Sequence, residues 1–254
     1  MHEIRDAVVQ DANDSEGTGV WANLEAISAH IPAPSLSAAH FLRISSASVS
    51  QRHLVKESLG TPEPCAIPLE ESQKLIFLED LRKSVYVGVL ACFIQGLDLL
   101  SRTSEAQSWN IDIEQVVRIW RAGCIIKSDY VTDLFEHHYA SSPDRQPLCG
   151  EVISGEIKRC WPSLKHVVLK GLEADARLPC LGATLEYLKY SSSTDLPTSF
   201  MEAQLDAFGA HGFELKDEKI GDMSKGTLYF SRARRPQILT PPVSGRHHSS
   251  WSIL

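Results

Sequence analysis

The stretch Phe77-Leu-Glu-Asp-Leu-Arg-Lys-Ser-Val-Tyr-Val-Gly-Val-Leu-Ala-Cys-Phe-Ile-Gln-Gly-Leu-Asp-Leu-Leu100 decides the fold. Its apolar positions Leu81, Val85, Val89, Phe93 and Leu97 recur every four residues, which predicts a helix over 77–100. Glu79 and Asp80 then fall in the first turn, where acids favour the positive end of the helix dipole. Tyr86, Val87, Leu90 and Ile94 are apolar as well, so the helix must be covered on more than one side and belongs at the centre. The longest apolar run, Val85 to Ile94, is interrupted by Gln95 and Gly96. It is about half of the ~20 residues a membrane span needs, so it reads as a buried helix.

Working outward, Asp112-Ile-Glu-Gln has capping-box spacing and predicts a helix through Val116, Ile119 and Trp120 that weakens at Gly123. Further helices are expected at Glu156 to Arg159, Ser163 to Ala174, Leu181 to Tyr190 and Phe200 to Phe208, with Pro162, Pro179 and Pro197 at entrances. No run of alternating strands and no internal repeat stands out, so an all-α bundle is expected, with room for a few short strands. Residues 1–235 read as one helical domain. Residues 236–254, rich in Arg, Pro, Ser and His, read as an irregular, disordered tail.

The 254 residues are 43% hydrophobic and 22% charged, enough for one sizeable core. A net charge of -7 and a pI near 5.8 give no electrostatic reason to bind nucleic acid or an anionic membrane surface. The six cysteines Cys65, Cys92, Cys124, Cys149, Cys160 and Cys180 form no C-x-x-C pair and no zinc-like grouping, and read as reduced, mostly buried thiols. The mixed-charge start resembles no secretory signal, and a cytoplasmic location is expected.

Three apparent motifs carry little. Gly17-Thr-Gly19-Val-Trp-Ala22 has G-x-G-x-x-A spacing, but Asp11-Ala-Asn-Asp-Ser-Glu16 before it is no buried strand, and Glu16 would repel a phosphate. His137-His138 and His247-His248 lack acidic or cysteine partners at ligand spacing and read as solvated, so no metal is expected. No G-x-S-x-G turn supports a serine hydrolase.

The segments Phe77-Leu-Glu-Asp-Leu-Arg-Lys83, Ile119-Trp-Arg-Ala-Gly-Cys-Ile-Ile-Lys-Ser128, Leu178-Pro-Cys180 and Glu202-Ala-Gln-Leu-Asp-Ala-Phe-Gly-Ala-His211 together resemble 6-phosphogluconate dehydrogenase. With Gly17-Thr-Gly-Val-Trp21 and Phe41-Leu-Arg43 they follow the family's order over roughly residues 3 to 235. The resemblance implies the helical C-terminal domain, which in the family carries the substrate pocket and the dimer interface. The family's NADP-binding domain, and the helix with its catalytic lysine and acid, would have no counterpart, so no cofactor is expected.

Residue by residue, the resemblance implies mixed retention. Thr18 and Arg43 stand at family positions that contact the phosphosugar, Trp21 belongs to the same segment, and His211 stands where the family reaches the other subunit's pocket. Glu16 replaces a lysine and Leu205 a phosphate-binding arginine, reversing charge in one place and removing it in the other. Retention of Arg43 and Thr18 for packing alone is the competing explanation. With two cations gone, an apolar small-molecule substrate held in a homodimer is expected, acted on by a cofactor-independent cyclase or isomerase. An intramolecular Diels-Alder cycloaddition is one version. Arg43, His211 and Glu16 are the candidate catalytic groups, and Thr18, Trp21 and Leu205 the candidate binding groups. A non-catalytic binding or regulatory relative and a partial dehydrogenase chain are the alternatives.

Overall fold

A computed structural model describes residues 17–142 and 146–209. The chain divides by internal packing into two units, Met1–Ser192 and Ser193–Leu254. In the first lie α1 (Gly17–Ser28), α2 (Pro34–Ile44), α3 (Val49–Leu59), α4 (Glu71–Gln107), α5 (Ile113–Gly123), α6 (Asp129–Ser141), a 3-10 turn at Pro147–Cys149, α7 (Glu151–Glu173) and α8 (Pro179–Ser191). The second contains α9 (Thr198–Gly209). The described residues contain no strand, and the expected all-α fold holds. The domain boundary at 235 and the tail 236–254 lie outside the described residues.

Helix α4 is longer than its periodicity predicts. Glu70 and Gln73 form a reciprocal capping box at its start, and Ser108, in the left-handed conformation (φ 56°), ends it. Its 37 residues place Glu79 and Asp80 in the third turn, not the first, so neither serves the dipole. The row spaced by four also fails as a buried stripe: Val85 is 50% and Val89 39% exposed. Steps of four residues advance about 40° past a full turn, so the five positions wind across the helix instead of following one face. The prediction of cover on several sides does hold in the second half, where Leu90, Ala91, Phe93, Ile94, Gln95 and Leu97 are all buried.

Around this half the bundle assembles. Helix α7 packs along α4, and α5 and α6 pair beside it, with Phe93 stacked on Phe135 (ring centroids 5.6 Å apart) and edge-on to Trp120 (5.9 Å). Asp112 caps α5 as its spacing predicts, accepting from Gln115 N at 3.2 Å, and the helix stops at Gly123. Arg121 pairs with Asp133 and Glu136, tying α5 to α6. Pro179 and Pro197 stand at the entrances of α8 and α9. Pro162 does not: α7 runs through it as one helix of 23 residues, losing one backbone hydrogen bond inside the helix.

Two further expectations change. All six cysteines are free, but only Cys160 is buried, while Cys65 and Cys149 are exposed. His138 is not solvated either; it is buried, with its ring 5.0 Å from that of Tyr139.

The first turn of α2 has no cap of its own. Ala33 offers no side-chain acceptor and Pro34 no N–H. Gln95, fully buried on α4, supplies the missing partner: its Oε1 accepts from Ser35 N at 3.0 Å and more weakly from Leu36 N at 3.4 Å. Its Nε2 donates to Ser35 Oγ at 3.0 Å, and that hydroxyl pairs with Thr184 Oγ1 of α8 at 2.9 Å. One amide thus binds three helices. Gln95→Leu leaves the Ser35 N–H unpaired in the core and is expected to cost about 2–3 kcal/mol in urea denaturation; a loss under about 0.5 kcal/mol would show that the network is dispensable.

Candidate functional site

Helices α1 and α2 carry the described residues named for the pocket, apart from Leu205. They pack against one another, and at Gly19 the backbone passes so close to His40 that an added Cβ would sit 2.6 Å from His40 Nδ1. Both glycines of the G-x-G spacing lie inside α1, not in a phosphate-cradling loop before a helix. Thr18 adjoins this close pass on one side, and Arg43 lies one turn beyond His40 on the other. Thr18 and Arg43 are exposed, and Trp21 is 68% exposed.

Below them, Ala26, Ile31, Ala33 and Leu99 form a small core that seats α1 and α2 on α4. Thr103 donates to Glu25 at 3.2 Å to reinforce it. Asn23 donates to Gly19 O at 2.7 Å, but its buried Oδ1 has no partner. The arrangement leaves one hydroxyl and one guanidinium exposed on two helices that pack against one another. Leu205 belongs to the second unit, on α9, and is 48% exposed. Glu16 and His211 lie outside the described residues. Among the described residues no grouping of His, Cys, Asp and Glu could hold a metal ion.

A family model described as 6-phosphogluconate dehydrogenase, C-terminal domain, matches residues 2–228. This chain belongs to the 6-phosphogluconate dehydrogenase family. The decarboxylating 6-phosphogluconate dehydrogenase of Emericella nidulans is 40% identical over 235 residues, covering 91% of this chain and 47% of the relative. That of Staphylococcus aureus strain N315 is 27% identical over 223 residues, covering 86% and 47%. The chain therefore spans about half the length of the curated 6-phosphogluconate dehydrogenases it matches. A solved structure of Plasmodium falciparum 6-phosphogluconate dehydrogenase, studied in apo form and with NADP+ and 6-phosphogluconate, superposes with a TM-score of 0.77 at 29% identity. It covers 85% of this chain and 46% of that one.

Away from α1 and α2, a cluster links α4 to α7 that the sequence did not disclose. Asp80 Oδ1 accepts from Ser163 Oγ at 2.6 Å, and its Oδ2 lies 2.8 Å from His166 Nδ1. The apolar periodicity starts α4 too late and makes Asp80 a dipole acid, whereas from the start at Glu71 it faces α7. The Ser163 hydrogen bond lowers its pKa from the ordinary 3.8, burial opposes this, and His166 adds to the lowering. Nearby, burial and then the hydrogen bond to Glu156 push Tyr86 well above the usual phenol range, so it stays a donor.

The depressed Asp80 pKa has a definite sign. The unfolded carboxyl takes up a proton first as pH falls, so the stabilisation is present above 3.8 and is lost as pH drops through the lower folded value. The stability gap between the parent and Asp80→Asn is therefore expected to narrow below pH 3.8 in acid-range denaturant titrations; a gap that stays constant with pH would remove the carboxylate as its cause.

Proposed function

We propose that this chain supplies the substrate-pocket and dimer half of a 6-phosphogluconate dehydrogenase-type enzyme, and that hydride transfer requires a nucleotide-binding half in addition. The carrying observation is the match of residues 2–228 to the family's C-terminal domain, against relatives about twice as long. In this reading Arg43 holds the phosphate of 6-phosphogluconate, Thr18 hydrogen-bonds the sugar, and Trp21 borders it. His211 enters from the partner. The packing of α1, which carries Thr18, against α2, which carries Arg43, supports the first part. The exposed apolar residues Leu24, Ile27, Phe41, Leu42 and Ile44 on the same helices support the second, since a homodimer would bury them.

One observation favours a second reading. Glu16 and Leu205 replace two cations that the family aims at phosphate, which suits a less charged substrate and a cofactor-independent cyclase or isomerase. A fold that holds a reactive chain in one conformer can lower a barrier by entropy alone.

Three measurements on the purified chain test the first reading. Sedimentation velocity is expected to give a dimer. Calorimetric titration is expected to show 6-phosphogluconate binding that weakens at least about tenfold in Arg43→Ala. NADP reduction is expected only when the nucleotide-binding half of the Emericella nidulans relative is added. Absence of phosphogluconate binding, together with a host metabolite that accumulates as an isomer of equal mass on gene deletion, would replace this reading with the second.

A further inference from the structure

Between α3 and α4 runs a strap, residues 60–70. Cys65 N donates to Ala174 O at 3.0 Å, just past α7, and Arg177 donates to Pro62 O at 3.5 Å, so the strap is pinned to the end of α7 before it turns into α4. The strap, the first two turns of α4 and the outer side of α7 border an open groove of about 300 Å³. That volume lies at the lower end of small-ligand sites.

Its lining is divided. Pro68, Leu69, Ile76 and Phe77 make an apolar wall, whereas His166 and Lys170, one turn apart on α7, make a polar end. The His166 ring is fixed twice, by Asp80 at Nδ1 and by Phe77 edge-on with ring planes at 90° and centroids 5.9 Å apart. A carboxylate only accepts, so Nδ1 carries the proton that Asp80 receives. The remaining ring nitrogen, Nε2, has no hydrogen-bond partner among the described residues. Lys170 donates to Glu173 at 2.6 Å, which uses one of its three ammonium protons.

A strut between α4 and α7 would need only Asp80, Ser163 and His166. It would not need a groove, an oriented and unused Nε2, a lysine beside it, or a pinned apolar strap opposite. We propose that this groove binds a small organic anion with an apolar body, of the kind represented by an aromatic monocarboxylate. The ring lies against Phe77 and Ile76, and the carboxylate lies against the Lys170 ammonium beside the His166 ring. The site is on α4 and α7 and uses none of Thr18, Trp21 or Arg43.

The test is a titration of the full chain with benzoate, followed through the imidazole 15N resonances, with His166→Gln used to assign the His166 signals. Expected are a saturable His166 shift with a Kd of ~1 mM or tighter, at least fivefold weaker binding in Lys170→Met, and at least fivefold weaker binding of benzyl alcohol, which keeps the ring but lacks the charge. The proposal is overturned by an unmoved His166 signal, or by equal benzoate binding in Lys170→Met. It is also overturned by inorganic phosphate binding as tightly as benzoate, since the apolar wall would then contribute nothing. Saturation of His166 by 6-phosphogluconate would overturn it as well. Loss of 6-phosphogluconate binding elsewhere would leave it standing, because the two sites share no residue. Phe77→Leu provides a second variant that keeps apolar bulk, and is expected to weaken benzoate while preserving the fold.

Discussion

The bundle depends on a buried amide. Gln95 lies where α2, α4 and α8 meet, and it satisfies the first turn of α2 there. Buried backbone donors without partners are costly, and α2 begins with Ala33 and Pro34, which can offer neither a side-chain acceptor nor a neutral alternative. The position of Arg43, at the other end of α2, is thus set by a residue on a different helix, 52 places later in the sequence. A helix placed by packing alone could slide or rotate. One held by directional hydrogen bonds at its start has a fixed register, which is what a polar ligand contact needs.

Much of the fold was legible because it rests on local rules. The apolar density of 85–97 marked the central helix, and Asp112 marked the start of α5 through its own side chain. The missing parts rest on nonlocal ones. The first turn of α4, Glu71-Ser-Gln-Lys74, is polar and exposed, so apolar periodicity does not report it. Its capping box has Glu70 at the N-cap in place of the usual Ser or Thr, with Gln73 at N3. That single misplacement also hid Asp80, which looks like a dipole acid at turn one and a helix-to-helix acceptor at turn three. Pro162 misled in the opposite direction, since a proline is commoner at a helix start than in the middle of one. His138 was read from its neighbour His137 as a solvated pair, although adjacent positions on a helix face different ways: His137 is exposed and His138 buried.

The candidate site was legible only through resemblance. Nothing in the spacing of Thr18 and Arg43 predicts that their helices pack together; α1 and α2 approach closely where Gly19 meets His40. By contrast, the cluster of Asp80, Ser163 and His166 carries a local signal in hindsight. Ser163 and His166 stand three apart on one helix and so present one face to a single acceptor.

The length of α4 has a consequence of its own. Asp80 and Leu99 are 19 residues apart on one unbroken helix, a spacing of about 28 Å at 1.5 Å per residue. Asp80 anchors the surface that faces the strap, and Leu99 underlies α1 and α2. The helix acts as a ruler between these two surfaces, holding them too far apart for occupants to touch and joining them through a segment that resists bending. Small molecules at its two ends would stabilise the same rod, and their contributions to resisting heat would add.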